Sequence, residues 1–400
     1  MTNKPQFVGE RVRLDELLLD TFSGEWGTEE GESLTPVLRT SNFNEDGSLD
    51  YSTPAMRCIP ERKVAKKRMV RGDIILEKSG GTPKRPVGIM AFCDSDELAL
   101  CSNFNQVLRF DEDRILPRFA FHQLRWLKDR NAFDRFTRKT TGLQNLQMKK
   151  LIELKLHVPQ IEAQTMIADT LDKIVDSQRN LQREIIDLDS LVKSRFVEMF
   201  GDLEHGYKCS SCKLESIAEV GSSKRVFKNE LLSEGVPFYR GTEVAELSAG
   251  GSIKPSLFIS KEHYERLIGS TGKPEIGDLL LPSICPGGQI WCVNTNAPFY
   301  FKDGRVLWIR PDRDAVDGVY LRHALSTMFQ MSFSNIASGT TFAELKIFLL
   351  KELNVPLPEL KDQKEFVSFV SQVDKSRFVA QQQIEKLRML YDKLAQDYFG

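Results

Sequence analysis

Three charged residues in the second half of the chain have the chemistry of a hydrolytic site. Asp312 is followed at a distance by Glu344 and Lys346, and carboxylates beside a lysine can hold Mg²⁺ and activate a water molecule. The spacing is loose, and the equivalents of Glu344 and Lys346 in the first half of the chain are glutamine or asparagine. Short patterns of this kind often arise by accident. A self-contained Mg-dependent nuclease is therefore the alternative function.

A second pattern contains the residue types that bind zinc. Cys209 and Cys212 are separated by two residues, and His205 stands four residues before Cys209, so that these side chains could supply three ligands. No second Cys-x-x-Cys follows, and the first half of the chain has no counterpart. We predict an incidental cysteine pair and no metal site. His122 and His323 lie in apolar, helix-like stretches, which predicts a packing role for both.

Other catalytic signatures are missing from the sequence. It has no Pro-Pro dipeptide, which an Asn/Asp-Pro-Pro-Phe/Tyr methyltransferase motif requires, and no Gly-x-Gly-x-x-Gly. The glycines and lysine of 269–273 do not have Walker A spacing. These absences favour a binding protein without a cofactor of its own.

Basic residues on predicted loops give a clearer signal. The stretch 57–71 contains seven cations against one carboxylate, and 78–85 is a glycine- and proline-containing loop with three cations. Such clusters can neutralise phosphates, and Arg, Asn, Gln and Ser on loops can read base edges, although a charge run is often only a solvated face. Arg39 and Arg240 recur at equivalent positions, which marks either function or a shared fold contact. The predicted DNA-contacting residues are Arg39, Arg62, Lys66, Lys67, Lys78, Ser79, Thr82, Lys84, Arg85, Lys224, Arg225, Arg240, Ser283 and Gln289.

The composition limits the class of protein. A length of 400 residues suits about two to four domains. There are 55 basic and 56 acidic residues, so any nucleic-acid surface must be a local patch. No apolar signal core and no apolar run of membrane-spanning length occur, and seven scattered cysteines fit a reducing compartment. We therefore expect a cytosolic protein.

Two long stretches of the chain repeat each other. Residues 151–201 recur at 350–400 without a gap, and the apolar residues of each copy step by four and three. This heptad pattern predicts two helices that pair as a left-handed coiled coil. Gln178 and Arg377 interrupt the two seams at the same position, and they either fix the register or face solvent. The predicted seam and subunit-contact residues are Ile167, Leu171, Ile174, Gln178, Leu181, Ile185, Leu188, Phe366, Val370, Val373, Arg377, Ile384, Leu387 and Tyr391.

The positions of proline and glycine predict where these helices begin and end. Pro159 and Pro358 are expected in the first turns, and each copy ends at a Phe-Gly pair. From Gln164 to Phe200 is about 37 residues, or roughly 55 Å of helix.

The segments before the helices also repeat, at slightly different displacements. The run Gly-Asp-Ile-Ile-Leu at 72–76 matches Gly-Asp-Leu-Leu-Leu at 277–281. The chain is therefore interpreted as a tandem duplication, divided into 1–148, 149–204, 205–347 and 348–400. Because no linker follows the first helix, the second can meet it only by running antiparallel. The predicted fold is mixed α/β (α+β), with two similar domains separated by two long helices that form an antiparallel coiled coil.

The stretches that open the long helices resemble those of a known family. Residues 154–164 and 353–363, with the Gly-Asp strand upstream and Phe-Gly at the end, are similar to the specificity (S) subunits of type I restriction-modification enzymes. The family's Pro-Pro and Glu-Gln pairs are imperfect in both copies. The resemblance nevertheless covers the whole chain, and the motif occurs twice.

This resemblance implies a function in DNA recognition. Segments 1–148 and 205–347 would be target recognition domains that together read a bipartite, asymmetric double-stranded DNA site with a non-specific spacer. The helices and adjacent surfaces would recruit two adenine methyltransferase (M) subunits, which carry S-adenosylmethionine, and ATP-driven, Mg-dependent restriction (R) subunits would join them. This chain would supply no catalysis. A coiled-coil scaffold that binds only proteins is a further alternative, and it predicts no DNA sequence preference.

Overall fold

A computed structural model describes residues 9–83, 85–139, 142–337 and 344–400. The chain divides into two compact units. The first unit holds the chain up to Glu184 together with Ala380–Gly400, and the second unit holds Ile185–Val379. Each unit thus contains one globular segment and a part of each long helix, while the fourfold division predicted from the sequence stays a prediction.

The globular segment of the first unit consists of short strands and four helices. Its strands are β1 Gly9–Arg13, β2 Leu18–Ser23, β3 Leu34–Leu38, β4 Ala55–Cys58, β5 Ile74–Glu77, β6 Ser79–Gly81, β7 Met90–Phe92, β8 Leu100–Cys101, β9 Asn105–Phe110, β10 Thr137–Lys139, β11 Gln144–Leu146 and β12 Lys155–Pro159. Its helices are α1 Leu14–Leu17, α2 Glu61–Lys67, α3 Pro117–Asp129 and α4 Met148–Leu151. The first long helix, α5, spans Ile161–Phe200.

The globular segment of the second unit has a similar composition of elements. Its strands are β13 Gly201–Asp202, β14 Gly206–Tyr207, β15 Ser211–Lys213, β16 Ala218–Ser222, β17 Val236–Tyr239, β18 Phe258–Ile259, β19 Leu279–Pro282, β20 Trp291–Cys292, β21 Tyr300–Phe301, β22 Val306–Pro311 and β23 Asn354–Pro356. Its helices are α6 Gly241–Ser248, α7 Lys261–Thr271, α8 Gly318–Ile336 and α9 Ile347–Lys351. The second long helix, α10, spans Leu360–Phe399.

Three of the sheets have the same topology in both units. The first has an antiparallel sheet in the order β2-β9-β5-β7, and the second has β16-β22-β19-β20. A three-stranded sheet follows in each, β4-β3-β8 and β18-β17-β21, and each contains one parallel pair. The strand before each long helix pairs antiparallel with an early strand, as β1-β12 and β15-β23. The mixed α/β fold predicted from the sequence is confirmed.

The strands β5 and β19 of the four-stranded sheets are buried on both faces. In the first unit, Ile74 and Leu76 of β5 belong to the core that contains α3 and the start of α5, whereas Ile75 belongs to the core on the opposite face. Leu279 and Leu280 of β19 divide in the same way. Successive side chains of a strand point to opposite faces. Burial on both faces explains why residues 74–76 and 279–281 are continuous apolar runs.

The repeated Gly-Asp pair starts the central strand of each unit. Gly72 and Gly277 have φ values of +93° and +94°, a conformation that side-chain-bearing residues rarely adopt. The buried Asp73 carboxylate then accepts from the Val70 backbone N–H at 2.8 Å. It also accepts two bonds from Arg109, each of 2.8 Å. The pair therefore fixes a turn and a buried polar anchor.

Each long helix begins two residues after the repeated proline. Pro159 ends β12, and α5 starts at Ile161, while Pro358 likewise precedes α10, which starts at Leu360. The expectation that these prolines lie in the first helical turns is wrong, because Pro159 is still paired with β1. Each helix has 40 residues.

A repeated glutamine ties each helix start to its globular segment. Gln164 and Gln363 are 1% and 0% exposed. The Oε1 atom of Gln164 accepts from the backbone N–H of Leu116 at 2.8 Å, and that of Gln363 accepts from Asp317 at 2.8 Å. Each Nε2 donates to the carbonyl of the proline five residues earlier, at 2.8 and 2.9 Å. These contacts explain why both copies of the helix-opening motif carry glutamine.

Replacing either glutamine by leucine is expected to destabilise its unit. Gln164→Leu or Gln363→Leu leaves a buried N–H and a buried carbonyl unpaired, which costs about 1–3 kcal/mol of unfolding free energy. Gln182→Leu, at an exposed position of α5, is the matched control and should change the unfolding free energy by less than about 0.5 kcal/mol. Equal effects at the buried and exposed positions in denaturant titrations would refute this role.

Segments of the two long helices pack antiparallel in the second unit. Arg195 of α5 pairs with Glu365 of α10 at 2.9 Å, and Asp189 of α5 pairs with Arg377 of α10. A later residue of one helix thus meets an earlier residue of the other in both pairs. Arg377 therefore makes a cross-helix ion pair, which favours the register interpretation of this polar seam position.

The first unit joins the beginning of α5 to the end of α10. The buried His122 of α3 lies between them: its Nε2 bonds Asp172 of α5 at 2.8 Å, and its Nδ1 bonds the Tyr391 hydroxyl of α10 at 2.9 Å. Arg118 also donates to Asp172, at 2.7 Å. Burial lowers the pKa of His122 despite the carboxylate. This histidine packs as predicted from the sequence.

His323 is expected to make stability depend on pH. It is half-buried and packs against the Phe366 ring, and desolvation, with the charges of Arg322 and Arg377, lowers its pKa well below the usual 6.5. The unfolded chain binds a proton that the fold excludes, so stability is full above pH 6.5 and is lost as the pH falls below it, by up to about 1.4 kcal/mol per pH unit. His323→Phe should flatten the fall of unfolding free energy below pH 6.5, and an unchanged slope would contradict the assignment.

Candidate nucleic-acid interface

The predicted recognition loops start at equivalent edges of the two central sheets. Beyond β5, the backbone N–H of Lys78 donates to the carbonyl of Phe104 at 2.9 Å. Beyond β19, the N–H of Ser283 donates to the carbonyl of Arg305 at 2.9 Å. Lys78 and Ser283 are therefore equivalent in the repeat, and Phe104 and Arg305 are equivalent beside them. The backbone hydrogen bonding at this edge is the same in both units, but the side chains differ in chemistry.

Lys78 points into the first unit rather than away from it. Its Nζ donates to Ser23 Oγ at 2.5 Å and to Gln106 Oε1 at 3.3 Å, and burial lowers its pKa. The neighbouring Arg85 guanidinium donates to Glu77 at 2.5 Å. Glu77 is 1% exposed, and burial raises the pKa of its carboxyl group although Arg85 opposes this shift. Of this group, Arg85 is the side chain that reaches solvent.

The remaining predicted residues of the first unit differ in exposure. Arg62 and Lys66 are exposed on α2, whereas Lys67 pairs with Glu25 at 3.0 Å. Arg39 is exposed, and its guanidinium contacts the Thr53 carbonyl at 3.4 Å.

The part of this loop that the structure describes comprises residues 79–83 and Arg85, and it starts with β6. Ser79 is half-buried in β6. The Thr82 hydroxyl accepts from the backbone N–H of Arg85 at 3.1 Å. Lys84 lies outside the described residues. Arg85 is therefore held in two ways: its backbone N–H bonds Thr82, and its guanidinium bonds Glu77.

In the second unit, Arg240 is engaged by its own helix. Its backbone N–H and guanidinium both bond Glu243 in the first turn of α6. Burial opposes ionisation of Glu243, but these hydrogen bonds outweigh it and hold the pKa of Glu243 at about 2. The backbone N–H of Arg39 likewise donates to Asn42, at 2.9 Å. The repeated arginines thus share a fold contact.

The other predicted residues of the second unit differ in exposure and in their partners. Lys224 and Arg225 are exposed, and Arg225 lies 3.5 Å from Asp303. Ser283 is buried and its hydroxyl donates to Glu344 at 2.9 Å. Gln289 is half-buried. Ser283 is therefore a buried residue that supports Glu344 at this edge of the sheet.

Two adjoining basic grooves of the second unit share Lys302 and Arg305. Their linings include five basic side chains, Arg225, Lys228, Arg240, Lys302 and Arg305, against the acidic Asp303 and Glu344. The exposed ring of Phe227 forms part of one wall. The sequence interpretation missed Lys302, Arg305 and Phe227, whereas it named Lys228 among the basic candidates of this unit. The Lys302–Arg305 turn before β22 was the available signal, but its equivalent in the first half of the chain is not basic.

The predicted seam residues are all withdrawn from solvent at least in part. Ile167, Leu171, Ile174, Ile185, Phe366, Val370 and Val373 are buried, and Gln178, Leu181, Leu188, Arg377, Ile384, Leu387 and Tyr391 are half-buried. Tyr391 bonds a histidine of the globular segment.

The nuclease alternative finds no support in the arrangement of its residues. Glu344 is bonded by Lys346 at 2.6 Å and by Arg305 at 3.1 Å. Asp312 is exposed and accepts from the backbone N–H of Asp314 at 3.1 Å, within a turn. In the described ranges no group of three or more His, Cys, Asp or Glu side chains could hold a metal ion.

Comparison with known proteins decides the family. A sequence model for the type I restriction modification DNA specificity domain matches residues 35–188 and again 208–388. The chain belongs to this family. The resemblance drawn from the helix-opening motifs is thereby confirmed. Members of this specificity family are non-catalytic, so the chain is a specificity protein and not an enzyme.

Two curated relatives and two solved structures are similar to this specificity protein. The putative type I restriction enzyme MjaX specificity subunit of Methanocaldococcus jannaschii is 23% identical over 363 residues, covering 85% of this chain and 80% of the relative. The putative specificity subunit S.HindORF215P of Haemophilus influenzae is 24% identical over 269 residues, covering 66% of each chain. These relatives share the specificity function in their names.

The structural similarity extends over the whole chain. The crystal structure of a type I restriction-modification S subunit from M. genitalium has a TM-score of 0.55 at 18% identity, covering 100% of this chain and 98% of that chain. A chain from a structure describing complex assembly and conformational transition of the type I R-M system has a TM-score of 0.56 at 17% identity, covering 100% and 99%. Both comparisons support the fold. Among the helices that the structure describes, none has the length and apolar character needed to cross a bilayer.

Proposed function

We propose that this specificity protein reads a bipartite, asymmetric double-stranded DNA site, with one half-site bound by each globular segment. Segments 1–148 and 205–347 are the two target recognition domains. The observation that carries this proposal is the repeated frame with different edges: sheet order and buried anchors recur, while Phe104 and Arg305 differ at equivalent positions. Two domains that share a fold but present different side chains at the edge are suited to bind two different half-sites.

The long helices are proposed to set the distance between the half-sites. A helix of 40 residues is about 60 Å long, and related readers contact half-sites about 34 Å or more apart. The seam residues and neighbouring surfaces also serve to recruit two M subunits, and R subunits join that complex. S-adenosylmethionine, ATP and Mg²⁺ act on those partners. We propose the prokaryotic cytosol as the location, because the host DNA and the partner subunits would be there.

Mapping methylated adenines in host DNA with and without the gene tests this proposal. We expect a set of methylated sites that depends on the gene and shares two short defined segments at a constant spacing. A gene-dependent motif in one uninterrupted segment would contradict the bipartite function, and no gene-dependent methylation would contradict the recruitment of M subunits. A scaffold that binds only proteins predicts no sequence preference in direct DNA binding.

A further inference from the structure

Each unit presents an exposed arginine that is held by a shielded glutamate at the recognition edge. In the first unit, Arg85 Nη2 lies 2.5 Å from Glu77 Oε1; the side chains are 51% and 1% exposed. In the second unit, Arg305 Nη1 lies 3.1 Å from Glu344 Oε1; the side chains are 60% and 22% exposed. The carboxylates are thus withdrawn, and the guanidinium groups face solvent.

The two glutamates are themselves fixed by neighbouring structure. Glu77 is the last residue of β5, and its backbone pairs in register with Asn105 of β9. Glu344 receives a hydrogen bond from the buried Ser283 at 2.9 Å and pairs with Lys346 at 2.6 Å. Each carboxylate is therefore a rigid support for its arginine.

The two arginine–glutamate pairs do not correspond in sequence. Arg85 lies in the loop that follows β5, whereas Arg305 lies in the turn before β22, where the first unit carries Phe104. Direct inheritance from the duplicated ancestor does not explain the match, because the residues come from different positions. Each unit thus has an arginine–glutamate pair at the equivalent edge of its central sheet, built from residues that are not equivalent in the repeat.

This arrangement suits a base edge better than a phosphate. A guanidinium has enough N–H donors to bond a carboxylate and still make a bidentate contact, and the O6 and N7 acceptors of guanine are its best match in the major groove. A carboxylate next to the cation weakens attraction to a phosphate. It also restricts the rotamers of a long side chain, so less conformational entropy is lost on binding.

The surroundings of Arg305 supply the phosphate contacts that a base-reading residue needs nearby. Lys302 lines both of the grooves that meet at Arg305, and Lys228 lines one of them. Both lysines are exposed cations beside the reading position. Phosphate contacts fix the register of a protein on DNA, and base contacts provide the sequence preference.

We infer that Arg305 and Arg85 are specificity-determining residues, each of which reads a guanine in the half-site of its own unit. Glu344 and Glu77 are positioning residues that orient the two guanidinium groups. This inference rests on the proposed bipartite function. It goes further by naming the base and the side chains that select it.

The test is methylated-adenine mapping in a host that carries the full-length chain and its M subunit, for wild type and for variants. Arg305→Ala should reduce the preference for guanine at one position of one half-site by about tenfold to a hundredfold. Arg85→Ala should do the same in the other half-site. Arg305→Lys keeps the positive charge but not the bidentate geometry, so it should retain methylation and lose the guanine preference.

Positioning by Glu344 has its own readout. Glu344→Gln should weaken the preference at the position read by Arg305 and leave the melting temperature within about 2 °C of wild type, since glutamine has the same shape and its amide oxygen can still accept from Ser283. Arg266→Ala, which removes an exposed arginine from α7, is the matched control and should leave every position unchanged.

The outcomes separate the inference from the proposed function. A wild-type motif without guanine on either strand of a half-site overturns the inference. So does an unchanged motif in both arginine variants, or loss of all methylation in Arg305→Lys. If the wild-type chain yields no bipartite motif at all, the proposed function itself fails.

Discussion

A chain lengthened by one heptad in each long helix is expected to recognise the same two half-sites across a longer spacer. The insertions belong between Glu184 and Ile185 in α5 and between Val379 and Ala380 in α10, where the two units meet in sequence. Seven residues add about 10 Å of helix, which corresponds to at most about 3 base pairs. Methylation at the original spacing should fall at least about a hundredfold, because both half-sites can no longer be bound together.

Lengthening both helices is necessary because their pairing is antiparallel. In the second unit, the ion pairs Arg195–Glu365 and Asp189–Arg377 set the register of the two seams. Equal insertions preserve the heptad phase on both sides of the insertion. An insertion in α5 alone is the control; it leaves the seams unmatched and should abolish methylation at any spacing. An unchanged spacer in the double insertion, or altered half-sites, would contradict the function of the helices as a gauge.

Phe366→Ala is expected to destabilise the second unit by about 3–5 kcal/mol, the usual range for removing a fully buried ring. The ring is 0% exposed. Its centroid lies 5.5 Å from that of Phe196 and 5.7 Å from that of Phe200, both on α5. It also lies 5.3 Å from the His323 ring of α8. Removing the ring therefore removes contacts of α10 with α5 and with the globular segment at the same time.

The same helix offers a matched control for this substitution. Phe378 is 59% exposed, so Phe378→Ala should change the unfolding free energy by no more than about 0.5 kcal/mol. Denaturant titrations of the full chain, with hydrogen exchange to locate the effect in the second unit, measure both variants. Similar losses for the two phenylalanines would show that α10 is not held through this cluster.

The parts of the fold that were predictable from sequence are those in which the pattern repeats. The heptad spacing identified both long helices, and the absence of a linker after Phe200 gave their direction. The Gly-Asp pairs marked the central strands, since Gly72 requires a positive φ and Asp73 is a buried anchor. These features depend on local spacing and backbone conformation, which a sequence records directly.

The interface was predictable only in outline, because it depends on which way side chains turn. Lys78 reads as a loop cation, but it bonds Ser23 inside the first unit. Ser283 is a buried support, and Arg240 is occupied by Glu243. Arg305 escaped notice because the repeat aligns it with Phe104. Comparing the two repeated segments reveals the residues that they share. It therefore overlooks residues in which the two copies differ, such as Arg305.

The most direct measurement replaces residues 205–347 by a copy of 6–148 and maps methylated adenines in the host. The two segments have the same length, so the second long helix keeps its place in the repeat. If the two units are arranged as the proposed antiparallel pairing of the long helices requires, two identical readers should recognise a palindromic site. The half-site of the first segment should appear twice, inverted, with the wild-type spacer. Persistence of the original asymmetric site, or a single half-site read alone, would contradict the proposed bipartite function.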